Sequence, residues 1–258
     1  MTFPKVSIVI PVMNGENFLR EAILSCLNQD YPNFEVLIGI NPSSDLTEKI
    51  AESFKDDGRI VVFKFQEKVN MPANFNRTGL NATGEYIKFL CHDDILPSNS
   101  VSELVKEFIK SDRNVFAVGY ESFIKSDRKI RGPESFGLNN FISGKTVLRR
   151  VIRYNNWIGG PSLALIESSL FFERPFDETL ECAFDLDYWV YLATKGRMAV
   201  SKEIVLYSRV HEYQATNKCL EGGFVKDIQL INSRMRRKYK IGRINTIFLS
   251  TRNIMDKL

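Results

Sequence analysis

VSIVIPVMNGENFLREAILSCLNQDYPNFEVLI, from Val6 to Ile38, holds the pattern strand, turn, helix, strand. Val6 to Pro11 is a short, apolar, β-branched run that Pro11 ends, and Asn14 with Gly15 supplies turn chemistry directly after it. That is the signature of a buried strand. Phe18, Leu19, Ala22, Ile23, Cys26 and Leu27 then recur at the spacing of one apolar helix face, and a second strand follows at Val36 to Ile40.

The alternation continues outward from this unit. Asn41, Pro42 and Ser43 form a loop, a helix lies near Leu46 to Phe54, and Ile60 to Phe65 makes a third strand. A helix over Pro72 to Asn81 precedes a fourth strand at Tyr86 to Cys91. Pro97 opens a helix with Val101, Leu104, Val105 and Phe108 on one face. Val115 to Phe123 and Ile204 to Val210 read as strands, Gly144 to Tyr154 and Asp185 to Lys195 as helices, and Asp127 to Asn140 as a mobile loop. Strands alternating with helices predict a single α/β domain on a mostly parallel, Rossmann-like sheet. Its ligand should sit beyond the strands' carboxyl ends, near Asn14, Asn41 and Asp93.

At 258 residues the chain can bury a substantial core in one domain. Cys26, Cys91, Cys182 and Cys219 are widely scattered and signal neither a disulfide framework nor a zinc site, which favours a reducing compartment. The N-terminus lacks the basic flank and apolar run of a signal peptide, and no stretch approaches the roughly 18 apolar residues of a membrane span. A cytoplasmic protein is expected, with the inner face of the plasma membrane as an extension of that reading.

The net charge of +4 is too small to suggest nucleic acid, but it is unevenly spread. Residues 217–258 carry ten Lys or Arg against three Asp or Glu. Arg234, Arg236, Arg237, Lys238, Lys240 and Arg243 crowd one stretch, and Ile241, Ile244, Ile247, Phe248 and Leu249 follow at roughly helical spacing. A basic helix with an apolar face suits an anionic bilayer, and equally a helix packed on the domain with solvated arginines.

His92, Asp93 and Asp94 follow the apolar strand directly. Adjacent carboxylates at a strand end can hold Mg²⁺ or Mn²⁺ together with substrate phosphates, although an isolated pair more often caps the next helix. No G-x-G-x-x-G follows the first strand and no G-x-x-x-x-G-K-[ST] occurs anywhere, so dinucleotide-binding and P-loop readings lose their main signature.

Together with ATGEYIKFLCHDDILP, FDETLECAFDLDYWVYLATKG and YSRVHEYQAT, the opening stretch resembles the family 2 glycosyltransferases of the GT-A fold. The resemblance runs from about Val6 to about Thr216. It implies an inverting, metal-dependent transferase that moves a sugar from a nucleoside diphosphate sugar to an acceptor hydroxyl, in bacterial surface polysaccharide synthesis. Residues 1–95 would form the nucleotide-sugar half, 96–216 the acceptor half and 217–258 a basic helical extension. The partners implied are the donor, a glycan or lipid-linked acceptor, and a membrane surface met through the tail; a homo-oligomer is left open.

Carried over by position, Pro11, Val12 and Asn14 would line the nucleotide pocket. Asn41 stands where the family usually has a base-reading Asp. Asn70 and Asn76 fall in the segment beside the donor; Asn74 and Arg77 fit an ordinary polar helix face as well. Cys91 replaces the first acid of the usual Asp-x-Asp. Asp93 is then the residue for ribose or metal, Asp94 for metal, and His211 for metal or pyrophosphate. Asp185 is the general base and Asp187 the runner-up, with helix capping the other role open to each. Arg209 is a phosphate or structural partner, and WIGGPS, Trp157 to Ser162, lies near the acceptor. Ile40, Asn41, Cys91 and Phe184 all stand where acids are common. That supports, as the alternative, a catalytically silent binding or scaffold protein on the same fold; a nucleotidyltransferase would need a Gly-rich, Lys-bearing N-terminal loop that is not here.

Overall fold

In the computed structural model, which describes residues 3–124, 141–212, 214, 217, 219, 222–235 and 237, strand β1 (Val6–Val12) is buried along its whole length. It pairs in parallel with β2 (Phe34–Ile40) on one side and β4 (Tyr86–Phe89) on the other, and β2 pairs with β3 (Ile60–Lys64). Pro11 is tolerated in this central strand because the pairing with β4 ends at Val9 and Phe89, so its missing N–H interrupts no ladder there. The order reverses at β1, which opens a crevice at the carboxyl ends of β1, β2 and β4.

The described sheet has eight strands in the order β3-β2-β1-β4-β7-β5-β8-β6. β5 (Asn114–Ile124) and β8 (Arg197–Arg209) run parallel to each other, while β7 (Ala164–Glu167) and β6 (Phe141–Ser143) are antiparallel to their neighbours. The mostly parallel α/β reading holds. β6 and β7 escape the sequence pattern because three- and four-residue runs carry no periodicity of their own.

The helices are α1 (Leu19–Leu27), α2 (Thr47–Glu52), α3 (Met71–Gly79), α4 (Ser100–Phe108), α5 (Gly144–Tyr154), α6 (Ser168–Glu173), α7 (Phe184–Lys195) and α8 (Gly223–Arg234). Rings of Phe75, Phe89, Phe171, Phe176, Phe184 and Tyr188 meet edge-on or tilted, with centroids 4.7 to 6.1 Å apart in the closest pairs, and weld α3 and β4 to α6 and α7. Phe184 is thus a core residue, 3% exposed, which accounts physically for an apolar side chain at that position.

One expectation is corrected. Cys182 and Cys219, 37 residues apart, are joined by a disulfide with Cα atoms 5.5 Å apart, while Cys26 and Cys91 are free. Linear spacing could not show it, because the turn from β8 into α8 brings Cys219 back beside the start of α7. Such a bond forms in oxidising surroundings, so the cysteines no longer argue for a reducing compartment. The described part of the tail packs on the domain, the second of the two arrangements open to it: Ile228, Ile231 and Met235 are buried, and Arg234 pairs with Asp177. The 127–140 loop and the basic and apolar run from Lys238 onward lie outside the described residues. Among the described residues, no helix is long and apolar enough to cross a membrane.

Candidate functional site

Two loops at the carboxyl ends of β1 and β2 are stitched together. Asn14, at φ 51°, accepts from Ser44 N at 2.9 Å, its own N–H donates to Ser43 Oγ at 3.0 Å, and Gly15 N donates to Thr47 Oγ1 at 2.7 Å. Gly15 is required by close approach, since a Cβ there would lie 2.7 Å from His92 Cδ2. Pro11 lies within β1, and Val12 ends it fully buried.

Asn41 is 2% exposed, and its amide is largely taken up inside the protein. Nδ2 donates to Val69 O at 2.8 Å, while Oδ1 accepts from Val69 N at 3.2 Å and from Arg77 at 2.9 Å. Arg77 also donates to Asn74 and to Glu67 O and lies 3.9 Å over the Phe65 ring. Beside this network Ile40, Pro42, Ser43, Lys64, Phe65 and Gln66 line a cavity of about 250 Å³. The sequence reading missed Lys64, Phe65 and Gln66 as lining residues; their position at the carboxyl end of the third strand was the available signal.

The Asp93–Asp94 turn is built by chain segments far apart in sequence. The end of β8 crosses it, with Ile95 N donating to Tyr207 O at 3.0 Å and Tyr207 N to Ile95 O at 2.9 Å. This delivers His211, whose Nε2 lies 3.0 Å from Asp93 Oδ2 and whose ring packs 5.0 Å from that of Phe18. His211 Nδ1 is buried and makes no hydrogen bond. Arg209 donates from its backbone to Asp94 Oδ1 at 3.2 Å and from Nε to Asp93 O at 3.1 Å, and also pairs with Glu21. Arg209 is therefore a clamp on the turn.

Asp94, at the strand end, is only 8% exposed, because β8 and Ser162 cover it. Burial, and then the negative charge of Asp93, holds its carboxyl well above the usual range. Burial and the same two acids push the Cys91 thiol up. Cys91 Sγ and one oxygen each of Asp93 and Asp94 lie within 4.8 Å of one another. Two carboxylate oxygens and a sulfur, with His211 Nε2 against Asp93, make a donor set that fits a divalent cation, whose charge would offset the burial and the mutual repulsion that raise Cys91 and Asp94.

Segment 156–162 connects this turn to α7. Ser162 Oγ accepts from Cys91 N at 2.9 Å, and Ser162 O accepts from the fully buried Lys88, whose ammonium burial pushes down to about 7. Gly159 O accepts from Trp189 Nε1 at 2.9 Å, and Asn156 Nδ2 donates to Asp185 Oδ2 at 2.7 Å. Asp185 stands half-buried in the first turn of α7. Asp187 faces inward, 6% exposed and paired with Arg174; burial raises its carboxyl against the opposing pull of that guanidinium.

Asn70 and Asn76 are held elsewhere. Asn70 caps α3 through Ala73 N at 3.1 Å and donates to Glu178 O at 2.8 Å. Asn76 exchanges hydrogen bonds with both backbone groups of Phe176, at 2.8 and 2.9 Å. Both tie α3 to the stretch before α7. The structure thus brings Asp93, Asp94 and His211 together, adds Cys91 to them, and reaches Asp185 through segment 156–162.

A family model described as Glycosyl transferase family 2 matches residues 7–173. An uncharacterized glycosyltransferase of Rickettsia typhi is 31% identical over 230 residues, covering 84% of this chain and 67% of that protein. The GalNAc(5)-diNAcBac-PP-undecaprenol beta-1,3-glucosyltransferase of Campylobacter jejuni is 35% identical over 115 residues, which is 44% of this chain and 37% of that enzyme. Among solved structures, Staphylococcus aureus TarS in complex with UDP matches with a TM-score of 0.72 at 20% identity, over 90% of this chain and 66% of that one. The mannosyltransferase PcManGT from Pyrobaculum calidifontis, in complex with GDP-Man and Mn²⁺, matches with a TM-score of 0.68 at 17% identity, over 95% and 67%. At these identities the two structures bear on fold alone. The chain spans about two thirds of the Rickettsia relative and of both structures, and little over a third of the Campylobacter enzyme.

Proposed function

The chain belongs to glycosyl transferase family 2 and has the GT-A fold, and from that premise we propose that it transfers a sugar, with inversion, from a nucleoside diphosphate sugar to an acceptor hydroxyl. The observation that carries this reading is the Cys91, Asp93, Asp94 and His211 cluster at the carboxyl ends of the parallel strands, joined by segment 156–162 to Asp185. The first half, 1–95, holds the donor through the loops around Asn14 and Asn41, and the second, 96–216, presents the acceptor.

Asp185 is the base. Its carboxylate, oriented by the Asn156 amide, takes the proton of the acceptor hydroxyl as that oxygen displaces the nucleoside diphosphate at the anomeric carbon. One displacement inverts the centre. Asp93, Asp94, Cys91 and His211 would hold Mn²⁺ or Mg²⁺, which when bound supplies charge neutralisation for the departing diphosphate. Arg209 keeps the Asp turn closed, and Lys88 and Ser162 fix its other side.

The acceptor we propose is a glycan or lipid-linked glycan of a bacterial surface polysaccharide. The Campylobacter relative, named for an undecaprenol-linked substrate, supports this. The proposed setting is cytoplasmic, at the inner face of the plasma membrane, where the Cys182–Cys219 pair would be kept as thiols, with residues 217–258 as a basic extension. A thermal-shift screen of nucleoside diphosphates with and without Mn²⁺ tests the donor half, since a ligand that binds only the folded state raises its melting point. No shift with any diphosphate overturns the reading. A shift without hydrolysis or transfer of any matching sugar nucleotide gives the chain to the silent binding class instead.

A further inference from the structure

Helix α5 has the sequence GKTVLRRVIRY and carries four cations and no acid. Val147 and Val151 are fully buried, and a Cβ at Gly144 would lie 1.8 Å from Ala193 O, so the helix is seated tightly against the end of α7. The opposite face presents Lys145, Arg149 and Arg153, four residues apart in each step, and all three are exposed. Among the described residues, no carboxylate pairs with any of them.

Exposed aromatic rings bracket this stripe. Phe141, 56% exposed, lies just before the helix with the Arg197 guanidinium 4.9 Å over its ring. Tyr154, 39% exposed, ends the helix with Arg153 5.2 Å over its ring. From Tyr154 the chain turns at Asn155, φ 63°, into Asn156, which touches Asp185. A solvated face would be expected to mix signs and hide its rings; this one does neither.

We infer that the exposed face of α5, with Phe141 and Tyr154, docks on an anionic phospholipid surface and holds the acceptor side of the site against it. Unpaired cations meet the negative headgroups, and the aromatic rings sit at headgroup level. The described tail helix offers no equal surface, because Arg234 is taken up by Asp177 and Asp187, and Ile228 and Ile231 face the domain. The docking surface stands on its own charge and geometry; only the naming of the side it holds as the acceptor side rests on the proposed function.

The test is co-sedimentation of the full chain with phosphatidylcholine vesicles in which roughly one lipid in three is phosphatidylglycerol, against pure phosphatidylcholine. The parent should bind the first and not the second, and lose binding as salt rises from about 0.1 to about 0.5 M. The triple variant Lys145→Gln/Arg149→Gln/Arg153→Gln should melt as the parent does and bind about 100-fold more weakly, near fivefold for each cation. Should the triple variant fail to fold, Arg149→Gln alone carries the fivefold expectation. A chain ending after Arg237 should keep most of the binding. Equal binding by parent and triple variant, binding lost only with the tail, or no preference for the anionic vesicles each overturns the inference. So does the same stripe-dependent binding to a soluble polyanion such as heparin without any vesicle binding.

Discussion

Asn156 Nδ2 donates to Asp185 Oδ2 across 2.7 Å, from the segment that also reaches Cys91. An amide donor fixes a carboxylate in direction, which is what a base for an acceptor hydroxyl requires. Asp185→Asn keeps the size of the group and cannot take the proton. Transfer should fall by about 10² to 10⁴, the usual contribution of a positioned base, with nucleotide affinity unchanged. Full transfer activity in this variant would remove Asp185 from the mechanism.

Asp94 is held at a cost in stability. Its folded-state carboxyl lies well above the usual range, so the stability it permits is complete below that range and is lost as pH rises through the folded value. In the metal-free protein, Asp94→Asn should therefore melt higher than the parent at neutral pH, and the difference should shrink under acid. The same variant should lose the melting shift that Mn²⁺ with a nucleoside diphosphate gives the parent. A variant that melts no higher and still responds to Mn²⁺ would contradict both the burial argument and the assignment.

Cys91 puts a sulfur among the donors of Asp93 and Asp94. Thiolate favours softer divalent ions, whereas Mg²⁺ prefers oxygen. The parent should show a larger nucleotide-dependent melting shift with Mn²⁺ than with Mg²⁺, and Cys91→Asp should narrow that gap. An unchanged gap would leave Cys91 outside the coordination sphere.

The central elements were legible because they are long and periodic: Val6 to Pro11, the Phe18 to Leu27 stripe and Gly144 to Tyr154 all lie on the strand and helices their spacing predicts. The Asp93–Asp94 turn was legible as chemistry following a strand. What spacing could not give was contact across the chain. His211 reaches Asp93 over 118 residues and Cys182 reaches Cys219 over 37, and both depend on where β8 and the chain after it run. The amide networks of Asn41 and Asn76 were hidden for the same reason, since a composition-level reading sees a free amide and not the Val69 or Phe176 backbone that occupies it.

Asp187 is a structural anion beside the proposed base. Its carboxylate is paired with Arg174 and nearly buried, so Asp187→Asn leaves a guanidinium without its counter-charge. We expect a loss of about 2 kcal/mol by urea unfolding, toward the lower end for such pairs because Arg174 keeps a quarter of its side chain in solvent. Transfer by the folded fraction should persist. If Asp187→Asn loses transfer while Asp185→Asn retains it, the base is Asp187.

Asp227 makes α8 part of the foundation of α7. The residue before α7, Ala183, has no side chain to cap it, and Asp227 Oδ2 accepts instead from Cys182 N at 2.7 Å and Ala183 N at 3.0 Å. A carboxylate at a helix N-terminus satisfies orphan N–H groups and opposes the positive end of the helix dipole. Asp227→Ala should therefore cost about 1 to 2 kcal/mol and speed amide exchange at the start of α7 ahead of the rest of the sheet. Truncation sharpens the point. Ending the chain after Asn232 removes Arg234, which pairs with Asp177 and lies 4.0 Å from Asp187, together with the buried Met235. That chain should melt clearly below the parent, whereas one ending after Arg237 keeps every described contact of α8 and should melt close to it. Were the two truncations to melt alike, at the parent's temperature, the Arg234 and Met235 contacts would be dispensable, and an Asp227→Ala variant that melts as the parent does would make Asp227 a dispensable cap.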